Sequence, residues 1–330
     1  MIMGFWEKFK KNTNPLNPTY QGDFKNPFFV LAPMADVTDA AFRQIIAKYG
    51  KPDVFWTEFV SVDGLCSVGK EKLLIDLKYG ENERPIVAQI FGNDPEHFEK
   101  TARMLVEMGF DGIDINMGCP VKKILNQNSC SALIRTPELA KEIILATKRG
   151  AGSIPVSVKT RIGFSKVEID TWIPVILETE PAVLTVHLRT AKEMSLVPAH
   201  WELMKKIVEI RDKMGKDTLI IGNGDVVDIE DGKKKAQETG CDGIMLGRAI
   251  FGNPWLFTGK VPTTEEKLEV MIEHTKLFEE VLGEKKNFAI MKKHYKAYVN
   301  GFVGAKELRM KLMDAENAEE VEGIVKEFLG

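Results

Sequence analysis

Asp111-Gly112-Ile113-Asp114-Ile115-Asn116-Met117-Gly118-Cys119-Pro120 is the stretch from which the rest of the chain can be read. Its first half is short, rich in isoleucine and opened by glycine, which fits a parallel strand covered on both faces. Its second half delivers Asn116, Gly118 and Cys119 at the strand's C-terminal end. Gly118 permits a tight turn and Pro120 fixes φ just after the thiol. A thiol held at a strand end suits acid–base or nucleophilic work, although the spacing alone also fits a small apolar cysteine in a loop.

Outward from this strand the same pattern recurs. Strands are expected at 28–33, 54–58, 86–91, 112–116, 155–159, 182–187, 218–222 and 243–246. Helices are expected between most of them: from Thr38 or Asp39 to Tyr49, 96–108, 136–149 with Pro137 in the first turn, within 168–178, 201–214 and 229–239. Eight such repeats over about 230 residues predict an α/β fold, a closed (β/α)8 TIM barrel. A doubly wound open sheet is the alternative, and no G-x-G-x-x-G follows the first strand to support it.

After Pro262 the pattern changes to four helices, at 265–282, 287–299, 305–312 and 318–328, a small all-helical C-terminal domain. The expected division is therefore an arm over 1–25, a barrel over 26–260 and a helical unit over 263–330. Residues 285–311 hold eight basic residues against the single acid Glu307, with Tyr295, Tyr298 and Phe302 interleaved. In a chain of net charge -3 that local excess points to a phosphate-contacting face.

The chain has 330 residues, 44% hydrophobic and 28% charged, as expected of a globular protein with room for a sizeable core. No apolar run reaches the roughly 18 residues of a membrane span, and residues 1–11 do not read as a secretory signal. The 4 cysteines, Cys66, Cys119, Cys130 and Cys241, form no CxxC pair, so neither a metal site nor a disulfide framework is expected. A reducing cytoplasm is the simplest location.

Barrel active sites lie at the C-terminal strand ends. Those ends carry Pro33-Met34-Ala35, Glu58, Gln89, Asn116 with Cys119, Lys159 with Arg161, His187 with Arg189, Asn223-Gly224-Asp225 and Gly247-Arg248. Burying so many polar groups at one mouth without partners would cost a few kcal/mol each, so a polar ligand is implied. Glycine-rich backbone after strands seven and eight, with Arg248 beside it, suits a phosphate. Lys159 and Gln89 on the opposite side suit an electron-rich ring. Flavin mononucleotide, FMN, meets both demands.

Seven stretches resemble the tRNA-dihydrouridine synthase family. They are Ala32-Pro33-Met34-Ala35-Asp36-Val37-Thr38-Asp39-Ala40-Ala41-Phe42-Arg43, Gln89-Ile90-Phe91-Gly92, Asp114 to Pro120, Val158-Lys159-Thr160-Arg161, Thr185-Val186-His187-Leu188-Arg189-Thr190, Ile221-Gly222-Asn223-Gly224-Asp225-Val226 and Met245-Leu246-Gly247-Arg248-Ala249. In the tail, His294-Tyr295-Lys296 and Leu308-Arg309 resemble that family's RNA-binding helices. The resemblance implies an FMN enzyme that reduces the C5–C6 double bond of uridines in tRNA, with NADPH as electron donor. It implies Cys119 as proton donor. It implies FMN contacts from Pro33, Met34, Ala35, Gln89, Lys159, His187, Asn223, Gly224, Asp225, Gly247 and Arg248. Asn116 and Arg189 would face the substrate, and Lys292, Lys293, Lys296 and Arg309 would contact tRNA. A monomer without metal is expected.

The sequence departs from that pattern at Cys130, where glycine is common, at Leu188 after the strand-six histidine, and at His200 before Trp201. Two other readings remain at this level. One is an FMN barrel oxidoreductase acting on a small molecule of dihydroorotate or enoate type, which would have no use for the basic tail. The other is a flavin-free RNA-binding protein, which would have no use for Gln89, Lys159, His187 and Cys119 together.

Overall fold

A computed structural model describes residues 5–13 and 27–330. Eight strands run parallel: β1 (Phe28–Leu31), β2 (Phe55–Ser61), β3 (Ile86–Phe91), β4 (Gly112–Met117), β5 (Val156–Arg161), β6 (Val183–His187), β7 (Leu219–Asn223) and β8 (Gly243–Leu246). Their order is β1-β8-β7-β6-β5-β4-β3-β2, and a parallel bridge between Val30 and Val54 closes the ring. The barrel is therefore the one the strand count predicts.

Local chemistry explains the helix starts. Asp39 accepts a hydrogen bond from the Phe42 N–H at 2.9 Å and opens Ala40–Tyr49. Asp94 accepts from Glu96 and His97 ahead of Pro95–Glu107. Thr263 and Glu266 form a reciprocal capping box that opens Thr264–Leu282. Three expectations need correction. The stretch expected as one helix from Trp201 begins as a tight 3-10 turn at Trp201–Leu203 and becomes α-helical only over Met204–Lys213. The helix expected from 287 likewise opens as a 3-10 turn, Phe288–Ile290, before Met291–Tyr298. The arm expected over 1–25 contains a helix, Glu7–Thr13, while residues 1–4 and 14–26 lie outside the described residues.

That N-terminal helix has a structural task. Trp6 and Phe9 are buried against Phe28, Val30, Trp56, Val87, Leu219, Ile221 and Met245. These residues alternate along their strands, so they form the apolar lower layers of the barrel interior, and the helix closes that end. The same inward rows continue upward as Gln89, Thr185, His187 and Asn223. The interior thus changes from apolar to polar along the strands, towards their C-terminal ends.

A second core lies between the strands and the surrounding helices. It continues without a break into the C-terminal helices Thr264–Leu282, Met291–Tyr298, Ala305–Asp314 and Ala318–Leu329. Phe42 stacks on His274 with ring centres 4.8 Å apart and meets the edge of His294 at 4.8 Å. Gly252 lies so close to the tail that a Cβ there would sit 2.2 Å from the Ala297 carbonyl oxygen. Among the described residues no helix is long and apolar enough to cross a membrane.

Candidate active site

Strand register brings the polar residues into rows. Gln89 pairs with Asp114, and Asn116 with Lys159. Arg161 pairs with His187, and His187 with Asn223. Paired residues in a parallel sheet point to the same face, so these rows run around one mouth.

Asn116 shapes the turn that carries the thiol. Its Oδ1 accepts the N–H groups of Gly118 and Cys119, each at 3.0 Å. Its Nδ2 donates to Gln89 Oε1 at 2.9 Å, and Gln89 Nε2 donates to Asp114 Oδ2 at 2.7 Å. Ser157 completes the chain by donating to the other Asp114 oxygen at 2.5 Å. Burial pushes the Asp114 carboxyl up to about 6, against the bonds from Ser157 and Gln89. Asn116, expected to face the substrate, therefore acts first on the Cys119 loop, and Gln89 already has a protein partner at each end of its amide.

Cys119 is half-buried at the rim. Its thiol is lowered to about 7, chiefly by a hydrogen bond from the Cys130 thiol, with the Val121 N–H and the charges of Arg161 and Lys159 assisting against burial. Cys130 is buried, and its own ionisation is pushed well up by burial and by the neighbouring sulfur. Ser131 ties this loop to the first by donating its hydroxyl to the Cys119 carbonyl at 2.9 Å. Cys130 adopts φ 56°, the left-handed region where glycine is at ease.

The adjoining wall, from β5 and β6, is cationic. Lys159 donates to Asn223 Oδ1 at 3.3 Å, and burial, then Arg161, lowers its ammonium to about 8. Arg161 spans loops by donating to the carbonyls of Gly118 at 2.7 Å, Thr190 at 2.9 Å and Met194 at 3.0 Å. Burial brings its guanidinium down to about 10. Arg189 NH1 donates to His187 Nε2 at 3.1 Å. Arginine can only donate, so His187 is neutral with its proton on Nδ1. Burial and the cations around it depress that histidine far below its usual range.

Arg189 is buried, donates to the Val197 carbonyl at 2.6 Å and pairs with Asp225. It holds loops together at the mouth. Asp225 also accepts from Arg248 at 2.6 Å and from the Ala199 N–H at 2.9 Å. Burial would raise its carboxyl; the Arg189 bond and the other partners outweigh this and keep it below the usual range. Asp225 thus orients Arg248. Gly224 has φ 128°, and a Cβ there would lie 2.8 Å from Ala199 and 3.2 Å from the His187 ring. Trp201 Nε1 fixes the Gly224 carbonyl at 2.7 Å. Among the described residues no protein acceptor receives the backbone N–H of Gly224, Gly247 or Arg248.

These features could hold a flavin. Free N–H groups beside the exposed Arg248 suit its phosphate, and Lys159 and the half-buried Pro33 and Met34 border the space for its ring, with Ala35 exposed beside them. The Met34 N–H is held by Thr38 Oγ1 at 2.9 Å.

Asp114, Ser157 and Trp201 were missed as site-forming residues, and Arg161 stood out only as the strand-end neighbour of Lys159. Strand register could have found Asp114, Ser157 and the task of Arg161, since each lies on the inward row. Trp201 left no signal, because its partner depends on the loop after β7.

The basic tail is only partly free. Lys292, Lys293 and Lys296 lie on the outer side of Met291–Tyr298, opposite the buried Met291, His294, Tyr295 and Tyr298. Arg309 donates to the Val299 carbonyl at 2.7 Å, and Lys311 pairs with Glu327. Lys286 turns inward to Glu58 at 2.6 Å and Asp76 at 2.7 Å.

The family model described as dihydrouridine synthase (Dus) matches residues 30–329. The "Probable tRNA-dihydrouridine synthase" of Staphylococcus aureus (strain COL) is 42% identical over 319 residues, 95% of this chain and 96% of that protein. The "Probable tRNA-dihydrouridine synthase 2" of Bacillus subtilis (strain 168) is 43% identical over 311 residues, 93% of this chain and 95% of that protein. Among solved structures, histamine dehydrogenase from Rhizobium sp. 4-9 is similar with a TM-score of 0.53 at 13% identity, covering 80% of this chain and 50% of that one. At that identity the likeness is one of fold alone.

Proposed function

The chain belongs to the dihydrouridine synthase family, and from that premise we propose that it is a flavin-dependent oxidoreductase that reduces the C5–C6 double bond of uridines in tRNA, with FMN as its flavin and NADPH as its electron source. One observation carries the mechanistic part: the Cys119 thiol is held at the barrel mouth beside a cationic neighbouring strand, where Arg161 bonds the Gly118 carbonyl at 2.7 Å and Lys159 pairs in register with Asn116.

Bound there, the flavin supplies the hydride. Backbone N–H groups of Gly224, Gly247 and Arg248 hold its phosphate, Asp225 aims Arg248 at it, and Lys159 faces the ring. Pro33, Met34 and Ala35 border it. Asn223 keeps Lys159 in place, and His187, neutral, supplies a polar edge without another positive charge. Cys119 holds the proton that C5 of the uridine receives; its thiolate is then stabilised by the Cys130 S–H and reloaded from water. Asn116 sets where that sulfur stands. The base reaches this site by leaving any stack, and the tail holds the rest of the tRNA by its phosphates through Lys292, Lys293 and Lys296.

In this reading residues 26–260 form the catalytic unit, 263–330 contact RNA, and the protein works as a cytoplasmic monomer. The small-molecule alternative leaves that exposed lysine face without a role.

The test uses purified protein with FMN, NADPH and tRNA transcribed without modifications. Dihydrouridine in the digested tRNA is the expected result. A flavin-loaded, NADPH-reduced protein that leaves every uridine intact would overturn the reading.

A further inference from the structure

Lys286 lies in the turn after Thr264–Leu282, with the N–H groups of Lys285 and Lys286 bonded to the Leu282 carbonyl. Its side chain leaves the helical domain and reaches β2 and the turn that holds Asp76, where it is 8% exposed. Its Nζ reaches Glu58 Oε2 at 2.6 Å and Asp76 Oδ1 at 2.7 Å. The other Glu58 oxygen accepts the Asp36 N–H at 2.5 Å. Asp36 has φ 52°, a left-handed conformation uncommon for a non-glycine residue, and its N–H is tied to Glu58. Directly before it stand Pro33, Met34 and Ala35, the segment that borders the flavin ring in the proposed function.

We propose that Lys286 is a positioning residue for the cofactor: through Glu58 it fixes the Asp36 turn, so that the helical domain completes the flavin-binding loop of the barrel. This rests on the flavin reading above.

The physical argument turns on Glu58. Its side chain is 5% exposed, and burial opposes its charge. Lys286 supplies the compensating cation, and removing one partner of a buried pair leaves the other charge uncompensated. Glu58 then turns its charge towards water, and the Asp36 N–H loses its acceptor. Asp76 is more exposed and can remain solvated, so the change falls on Glu58 and the loop it holds. Lys286 is also unavailable to an external phosphate, unlike the exposed Lys293 and Lys296.

The experiment measures FMN affinity by titration, tRNA affinity by a filter or anisotropy assay, and thermal stability, all on the full chain. Lys286→Met is expected to weaken FMN by roughly ten-fold, the scale of one hydrogen bond to a charged group, with tRNA affinity of the flavin-loaded protein unchanged. Lys286→Arg should keep most of the affinity. Glu58→Gln combined with Lys286→Met should recover FMN binding relative to Lys286→Met alone, because the introduced amide oxygen accepts the Asp36 N–H without needing a cation. Wild-type FMN affinity in Lys286→Met overturns the proposal, as does a loss confined to tRNA. A double variant as weak as the single one also overturns it, since the lysine would then act through folding in general. Wild-type protein that takes up no FMN overturns the flavin reading itself, and this proposal with it.

Discussion

Cys130 buries a second thiol against the first in a backbone conformation that costs a side-chain-bearing residue energy. What the protein gains is an S–H donor to the Cys119 sulfur, the largest influence lowering that thiol to about 7. In the proposed role as acid, Cys119 must carry its proton to deliver it, so its competent fraction declines as pH rises through about 7. Cys130→Ala should move the Cys119 ionisation upward, towards the ordinary cysteine value, and carry the falling limb of proton delivery with it. Cys130→Ser, which keeps a donor, should lie between. The measurement is pH-dependent alkylation of Cys119 followed by mass spectrometry. An unmoved midpoint in Cys130→Ala would place the cause with Arg161, Lys159 and the Val121 N–H instead. The sequence flags Cys130 only as a departure from glycine; its partner lies across a turn whose course no spacing rule supplies.

At the scale of elements, Met291–Tyr298 shows how far a helical pattern can be read. Met291, His294, Tyr295 and Tyr298 repeat with a period near 3.6 and are buried, and Lys292, Lys293 and Lys296 occupy the other side. The helix was legible; the burial of Tyr295 and Tyr298, which the sequence interleaves with the basic residues, was not. The charge count over 285–311 was less informative, because it treats all basic residues alike. Lys286 is neutralised by Glu58, 228 positions away in the chain, and Arg309 caps a carbonyl within its own domain. The proposed phosphate contacts therefore narrow to the three outward lysines of one helix. Lys292→Glu with Lys293→Glu should weaken all tRNAs alike and flatten the salt dependence, by about one unit of log–log slope for each phosphate that the helix no longer neutralises. Equal affinity and an equal slope in this variant would remove the helix from the interface. Its FMN affinity should stay at the wild-type value, since neither lysine approaches the mouth.

Over the whole molecule, the eightfold alternation of short apolar strands and amphipathic helices was enough to predict the barrel, because strand number and crossover direction leave few closed arrangements. The residues at strand ends were also legible in place, while their hydrogen-bond partners were not. Asn116 and Arg189 sit where expected and tie loops together, which depends on hydrogen-bond partners that only the assembled mouth brings near. The N-terminal helix was hidden for a related reason: Trp6 and Phe9 make no amphipathic repeat long enough to register, and their value appears only against the open lower end of the barrel. The tail likewise reads as a separate unit by composition, yet Phe42, His274 and His294 place its core in continuity with that of the barrel. Truncation near Pro262 would expose that core, so binding by the tail is better tested by surface substitution than by removal.

In the proposed reaction these scales meet at Cys119, where the mouth, the cationic wall and the docked tail must all be in place for a uridine to receive its proton. Single-turnover reoxidation of pre-reduced, FMN-loaded enzyme by unmodified tRNA measures that event directly. The wild-type protein should reoxidise as dihydrouridine appears, and Cys119→Ala, with its flavin bound and reducible, should do so roughly 10²–10⁴-fold more slowly, the usual weight of one positioned acid. Reoxidation of Cys119→Ala at the wild-type rate would contradict the assignment of the proton to this thiol.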